Sequence, residues 1–180
     1  MKTIFLDRDG VINKDFGYVH TWNMFEFLPN VIDALKIFSY LDYSIIVVTN
    51  QSGIARGMYT ETDVQALHAQ LDLYLKRQGV LITDFYYCPH HPEGTEPDYR
   101  IFCNCRKPQP GMLHKAICEH ACDLSSSIMV GDKWSDIEAG ISAGITQNFL
   151  ISDRDRLCMP ELESKVCSVN SLLQVARILS

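Results

Sequence analysis

Thr3-Ile4-Phe5-Leu6-Asp7-Arg8-Asp9-Gly10 sets an uninterrupted apolar run of strand length directly before two acids one residue apart. Such a run marks a strand covered on both faces, and the acid-glycine cluster after it marks a turn. The same arrangement recurs twice. Ser44-Ile45-Ile46-Val47-Val48 leads into Thr49-Asn50-Gln51-Ser52-Gly53, and Ser127-Ile128-Met129-Val130 leads into Gly131-Asp132-Lys133. Weaker strands are expected over residues 82–87, 146–151 and 165–168. Helical patterns lie between them. Residues 29–41 place apolar side chains at Val31, Ile32, Leu35, Ile37, Phe38 and Leu41, with Pro29 suited to a first turn. Thr60-Glu61-Thr62-Asp63 reads as a capping-box variant, opening a helix that stops at Gly79. Further helices are expected over 110–121, 134–143 and 171–179. Strands alternating with helices predict parallel pairing and right-handed crossovers: a three-layer α/β/α sandwich on a mainly parallel, Rossmann-like sheet, with residues 1–180 as one domain. In open α/β sheets ligands bind beyond the carboxyl ends of the strands, so the three polar clusters should meet at one edge.

Composition narrows the class. Hydrophobic residues at 47% and charged residues at 21% exclude a disordered or fibrous chain. The net charge of −6 argues against a nucleic-acid partner, and an anionic substrate would need a local cation. No apolar run approaches the ~20 residues of a membrane span, and the N-terminal apolar stretch is too short for a signal peptide, so a cytoplasmic location is expected. Seven cysteines in such a setting suggest thiols or metal ligands over disulfides.

The converging residues suit phosphoryl transfer. Asp7 and Asp9 from one strand end, with Asp132 and Asp136 from another, would repel one another without a cation among them. Oxygen ligands completed by water and a substrate phosphate suit Mg²⁺. Thr49 offers a hydroxyl, while Asn50, Gln51 and Ser52 offer backbone N–H groups to phosphate oxygens. Lys107 brings positive charge. A carboxylate can attack phosphorus itself, and a second acid can protonate the leaving oxygen and then activate water. One acidic turn alone would be only a turn. Three together, each at a strand end, make that reading a poor one.

Asp7-Arg8-Asp9-Gly10-Val11-Ile12 resembles the first motif of the haloacid-dehalogenase superfamily. Thr49 matches its second motif, Lys107 the third, and Gly131-Asp132-Lys133-Trp134-Ser135-Asp136 the fourth. The resemblance implies Asp7 as nucleophile, Asp9 as general acid/base, and Thr49 and Lys107 as holders of the phosphoryl group. It implies Mg²⁺ on Asp7, the Asp9 carbonyl and Asp132, with Asp136 supporting.

Cys88-Pro89-His90 and Cys103-Asn104-Cys105 bracket a loop, residues 91–102, rich in Pro, Gly and acids. Read from spacing, these residues are either buried thiols or a structural zinc clip. The loop has little apolar content to order itself, and three sulfurs with one imidazole close a tetrahedron, which favours zinc. The choice of His90 over His91 is implied only by the resemblance. Cys118, Cys122, Cys158 and Cys167 read as ordinary thiols, and His68 carries no second signal.

Within the superfamily the chain is similar to the heptose-bisphosphate phosphatases, through residues 7–13, 17–19, 49–57, 87–94, 105–108 and 130–133. The resemblance implies removal of the 7-phosphate of a heptose 1,7-bisphosphate in the pathway to nucleotide-activated heptose for lipopolysaccharide. A histidinol-phosphate phosphatase is the alternative, and a zinc-containing phospho-ligand-binding protein the non-enzyme one. Arg106 is the natural partner of a second phosphate, with Lys133 beside it. Asp15, Phe16, Gly17 and Tyr18 are expected to wall the substrate site. Neither insert is long enough for a cap domain, and a monomer is expected.

Overall fold

The computed structural model describes residues 1–152 and 166–180. Six strands form one parallel sheet: β1 (Thr3–Leu6), β2 (Ser44–Asn50), β3 (Ile82–Cys88), β4 (Ile128–Gly131), β5 (Gln147–Ile151) and β6 (Val166–Val169), ordered β3-β2-β1-β4-β5-β6. The helices are α1 (Val31–Tyr40), α2 (Glu61–Arg77), α3 (Gly111–His120), α4 (Trp134–Ser142) and α5 (Leu172–Leu179). Cys158 and Lys165, the latter expected to open the last strand, lie outside the described residues.

Strand alternation distributes the core between two faces. Ile4 and Leu6, Ile45 and Val47, and Ile128 and Val130 pack with Leu35, Phe38, Leu71, Leu75 and Val175 of α1, α2 and α5. Phe5, Ile46, Val48 and Met129 point the other way, onto Met112, Leu113, Ala116 and Ala139 of α3 and α4. Successive strand residues face opposite sides, so covering both faces needs apolar residues at every position. That is why the strands read as unbroken apolar runs.

Helix boundaries follow local chemistry. Thr60 and Asp63 exchange the two hydrogen bonds of a capping box at the start of α2. The chain leaves that helix through Gly79 at φ 82°. The start of α1 differs from the sequence reading: Asn30 is left-handed at φ 60°, so Pro29 belongs to the preceding turn and helical geometry begins at Val31. The segment between β1 and α1 contains a 3₁₀ turn (Trp22–Met24) and two isolated bridges, with no sheet or α-helix of its own.

Candidate active site

Strand order reverses direction at β1, which pairs with β2 on one side and β4 on the other. Leu6 is in register with both Val47 and Val130, so the residues just beyond these positions leave the sheet side by side. The Asp7 N–H donates to Val130 O at 3.0 Å, binding the first acidic turn to the end of β4. A cavity of about 550 Å³ opens above this point, lined by Asp7, Asp9, Thr49, Lys107, Lys133 and Asp136, among others.

Asp7, Asp132 and Asp136 bring carboxylate oxygens within 4.8 Å of one another. Lys107 is buried among them. Its Nζ lies 3.0 Å from Asp7 Oδ1 and 2.7 Å from Asp136 Oδ1, and donates to Val48 O at 2.8 Å. Burial opposes its charge, but Asp136 and Asp7 outweigh that and raise its pKa. Asn50 places this lysine: its side chain accepts from the Lys107 N–H and donates to the Lys107 carbonyl. Burial, with the charge of Asp136 added, raises the pKa of Asp7. Asp132 is pushed up to about 7 by desolvation and by Asp7.

These residues fit a divalent cation. Among the described residues Asp132 Oδ1 is buried without a hydrogen-bond partner, an arrangement that costs stability unless a further charge meets it. Asp136 is already engaged by Lys107 and by the Lys133 N–H. Asp132 therefore offers an open buried oxygen, with Asp136 holding the lysine beside it. Gly10 is required for the close approach, since a Cβ there would lie 2.3 Å from Asp132 Oδ2.

Asp9 is held by donors on every side. Arg8 Nη2 donates to both of its oxygens at 3.1 and 2.9 Å, Asn13 Nδ2 to Oδ1 at 2.9 Å, and Gln51 Nε2 to Oδ2 at 3.0 Å. Arg8 is fully buried, and its Nη1 lies 3.2 Å from His68 Nε2. Burial and the nearby guanidinium push the His68 pKa down to about 3, so the ring is neutral and accepts from Arg8. Sequence reasoning missed Arg8, Asn13, His68, Tyr59 and Ser135. Arg8, Asn13 and Ser135 fall inside the stretches that carry the resemblance, and His68 falls on the buried face of α2 with Val64, Leu67, Leu71 and Leu75.

The remaining residues divide. Asp15, Gly17, Tyr18, Ser52, Arg106 and Lys133 line the cavity. Lys133 Nζ donates to Asp15 Oδ2 at 3.0 Å. Although partial burial opposes it, that bond and the Gly17 N–H hold Asp15 below the usual carboxylate range. Arg106 Nη1 donates to His90 O at 3.4 Å. Phe16 is not among the lining residues and is 59% exposed. Gln51 lines the cavity, but its N–H donates to Cys88 O, so that group is not free for a phosphate.

Cys88, the last residue of β3, gathers His90, Cys103 and Cys105, with all four ligand atoms within 4.8 Å. Cys88 Sγ lies 3.6 Å from Cys103 Sγ and 3.0 Å from Cys105 Sγ, and His90 Nδ1 lies 3.3 Å from Cys105 Sγ. Three sulfurs and one imidazole are a donor set that suits a closed soft-metal site, and ~2.3 Å metal–sulfur bonds would spread the sulfurs from 3.0, 3.3 and 3.6 Å to tetrahedral edges of about 3.8 Å. His91 faces elsewhere: its Nε2 meets Arg56 Nη2 at 3.3 Å and its Nδ1 accepts from the Glu93 N–H.

Comparison with known proteins agrees with this geometry. A HAD-hydrolase-like family model matches residues 104–155. The D-glycero-beta-D-manno-heptose-1,7-bisphosphate 7-phosphatase of Haemophilus influenzae is 49% identical over 150 residues, 83% of this chain and 81% of that one. The alpha-anomer 7-phosphatase of Photorhabdus laumondii is 44% identical over 179 residues, 99% of this chain and 97% of that one. The crystal structure of D,D-heptose 1,7-bisphosphate phosphatase from B. bronchiseptica, complexed with magnesium and phosphate, superposes with a TM-score of 0.85 at 31% identity, covering 99% of this chain and 98% of that one. Identity at this level across most of both chains, on a parallel sheet with acids at its switch point, makes this chain a member of the heptose-1,7-bisphosphate 7-phosphatase family of HAD-like phosphatases.

Proposed function

We propose that this protein removes the 7-phosphate from a heptose 1,7-bisphosphate, leaving the 1-phosphate, through a phosphorylated Asp7. The single observation that carries the chemistry is Asp7 itself. Its Oδ1 is fixed by the Arg8 N–H at 2.8 Å and by Lys107 Nζ at 3.0 Å, which leaves Oδ2 unpartnered among the described residues at the cavity wall. Oδ2 attacks phosphorus, the bond from phosphorus to the sugar O7 breaks, and Asp9 gives its proton to O7. Water then attacks the phosphorus of the aspartyl-phosphate, Asp9 takes the water's proton, and the Asp7–phosphorus bond breaks. The proton gained in the second step serves the first step of the next cycle. The set of donors around Asp9 is what the ionised base of the second step requires. Lys107 holds positive charge beside the attacking carboxylate, and the Thr49 hydroxyl holds a phosphoryl oxygen.

Mg²⁺ would be held by Asp7, Asp132 and the Asp9 carbonyl, with Asp136 in support, and when bound it supplies charge neutralisation to the phosphoryl group. Zinc would be held by Cys88, His90, Cys103 and Cys105, with a structural role. Arg106 and Lys133 would meet the distal phosphate, with Asp15, Gly17, Tyr18 and Ser52 around the sugar. A monomer acting as one domain is part of the same reading. Reduced thiols around such a metal suit a cytoplasmic setting, with the product feeding nucleotide-activated heptose.

The test is phosphate release with Mg²⁺ from both heptose 1,7-bisphosphate anomers, fructose 1,6-bisphosphate and histidinol phosphate, with Asp7→Asn as control. A kcat/KM advantage for one heptose anomer, lost in the control, is the expected result. Faster turnover of histidinol phosphate would refute the substrate, and an active Asp7→Asn protein would refute the mechanism.

A further inference from the structure

Gln51 sits at the centre of a buried hydrogen-bond chain that the reaction scheme does not use. Its side-chain Nε2 lies 3.0 Å from Asp9 Oδ2 and 2.9 Å from Thr49 Oγ1, and its Oε1 receives the Tyr59 hydroxyl at 2.8 Å. Gln51 and Thr49 are each 1% exposed and Tyr59 is 7% exposed. Gly53 makes room for this contact, because a Cβ there would lie 2.1 Å from the Tyr59 ring.

The donor and acceptor roles along this chain follow from one group. The Gln51 amide turns its NH₂ toward Asp9 Oδ2 and Thr49 Oγ1 and its carbonyl toward the Tyr59 hydroxyl. Tyr59 must then donate. The second N–H of Gln51 falls on Thr49 Oγ1, which therefore accepts on that side and keeps its own proton for another partner. Among the described residues no other hydrogen bond occupies the Thr49 hydroxyl, and Thr49 lines the cavity. We infer that Tyr59 and Gln51 are positioning residues that make Thr49 an obligate donor to the phosphoryl oxygen. Without Tyr59 the buried Gln51 carbonyl loses its donor and the amide loses its fixed orientation. Asp9 tolerates that loss, since Arg8 and Asn13 still hold it. Thr49 does not, because Gln51 is its one side-chain partner among the described residues. The effect of Tyr59 should therefore reach the reaction through Thr49.

This inference rests on the proposed phosphatase reading, and a double-mutant cycle separates the two. On heptose 1,7-bisphosphate with Mg²⁺, Tyr59→Phe is expected to lower kcat about tenfold, with KM within about threefold. In a Thr49→Val background the same change should cost less than about twofold. A full additional tenfold loss would overturn the relay, because a role in packing alone acts equally in both backgrounds. Gln51→Met keeps the bulk and removes the amide, and its loss should collapse in the Thr49→Val background in the same way. It also supplies the cycle if Tyr59→Phe fails to fold. Calorimetric binding of inorganic phosphate to the same proteins reads the relay independently of the sugar. Coupled losses of phosphate affinity support it, and additive losses refute it, even if wild-type turnover assigns a different substrate.

Discussion

His68 shows how a residue distant from the reacting atoms can be read from its charge state. Burial and then Arg8 lower its pKa to about 3, against an unfolded value near 6.5. Between those values the unfolded chain binds a proton here that the folded chain refuses. The His68 contribution is therefore fully present above about pH 6.5 and is lost progressively as pH falls toward 3. At about 1.4 kcal/mol per unit, lowering the pH from 6.5 to 5 should cost about 2 kcal/mol through this ring. His68→Gln keeps an acceptor for Arg8 and does not titrate. Denaturant unfolding of both proteins across this range is expected to show a shallower decline in the variant; parallel curves would mean that the buried ring is not held neutral.

At the scale of elements, the junction of β1 with its following turn decides whether the acids can share a cation. Gly10 is left-handed at φ 91°, and its missing Cβ is what lets the Asp132 carboxylate approach. Gly10→Ala adds a methyl 2.3 Å from Asp132 Oδ2 and strains the turn. The expected result is at least a roughly tenfold rise in the Mg²⁺ concentration giving half-maximal phosphate release, since the carboxylate must move from the site it shares with Asp7. An unchanged Mg²⁺ dependence would place the cation elsewhere. Edge strand β3 has a matching role on the other side of the site. It ends on Cys88, whose carbonyl accepts from the Gln51 N–H while its sulfur joins the cysteine cluster. One residue thus ties the motif after β2 to the metal-type loop.

For the whole molecule, that tie connects two sites with different chemistry. Arg106 follows Cys105 directly and donates to the carbonyl of His90, so this contact is anchored at both ends by residues of, or next to, the thiol-imidazole cluster. On the zinc proposal, a zinc chelator with Mg²⁺ in excess is expected to lower Tm and raise KM for the bisphosphate; zinc, and not further Mg²⁺, should restore both. Unchanged Tm and KM would show that the loop orders itself. Much of this architecture was legible in residue order. Strand runs such as Ile4 to Leu6, the Thr60–Asp63 cap and the acid-bearing turns depend on local burial, backbone geometry and side-chain chemistry, which sequence spacing expresses directly. The cysteine pairs were visible in spacing, but His90 was preferred to His91 only by resemblance; in the fold His90 joins the cluster and His91 meets Arg56 and Glu93. The support around Asp9 was not. Arg8 and Asn13 reach Asp9 within one turn, while the pairing of β1 with β2 brings Gln51 to it and the packing of α2 brings His68 to Arg8. Residue order thus determined the strands, the turns and the types of reacting group. Tertiary structure alone decided which oxygen is left open, which nitrogen must donate and which histidine stays neutral, because those depend on partners and burial that no spacing along the chain encodes.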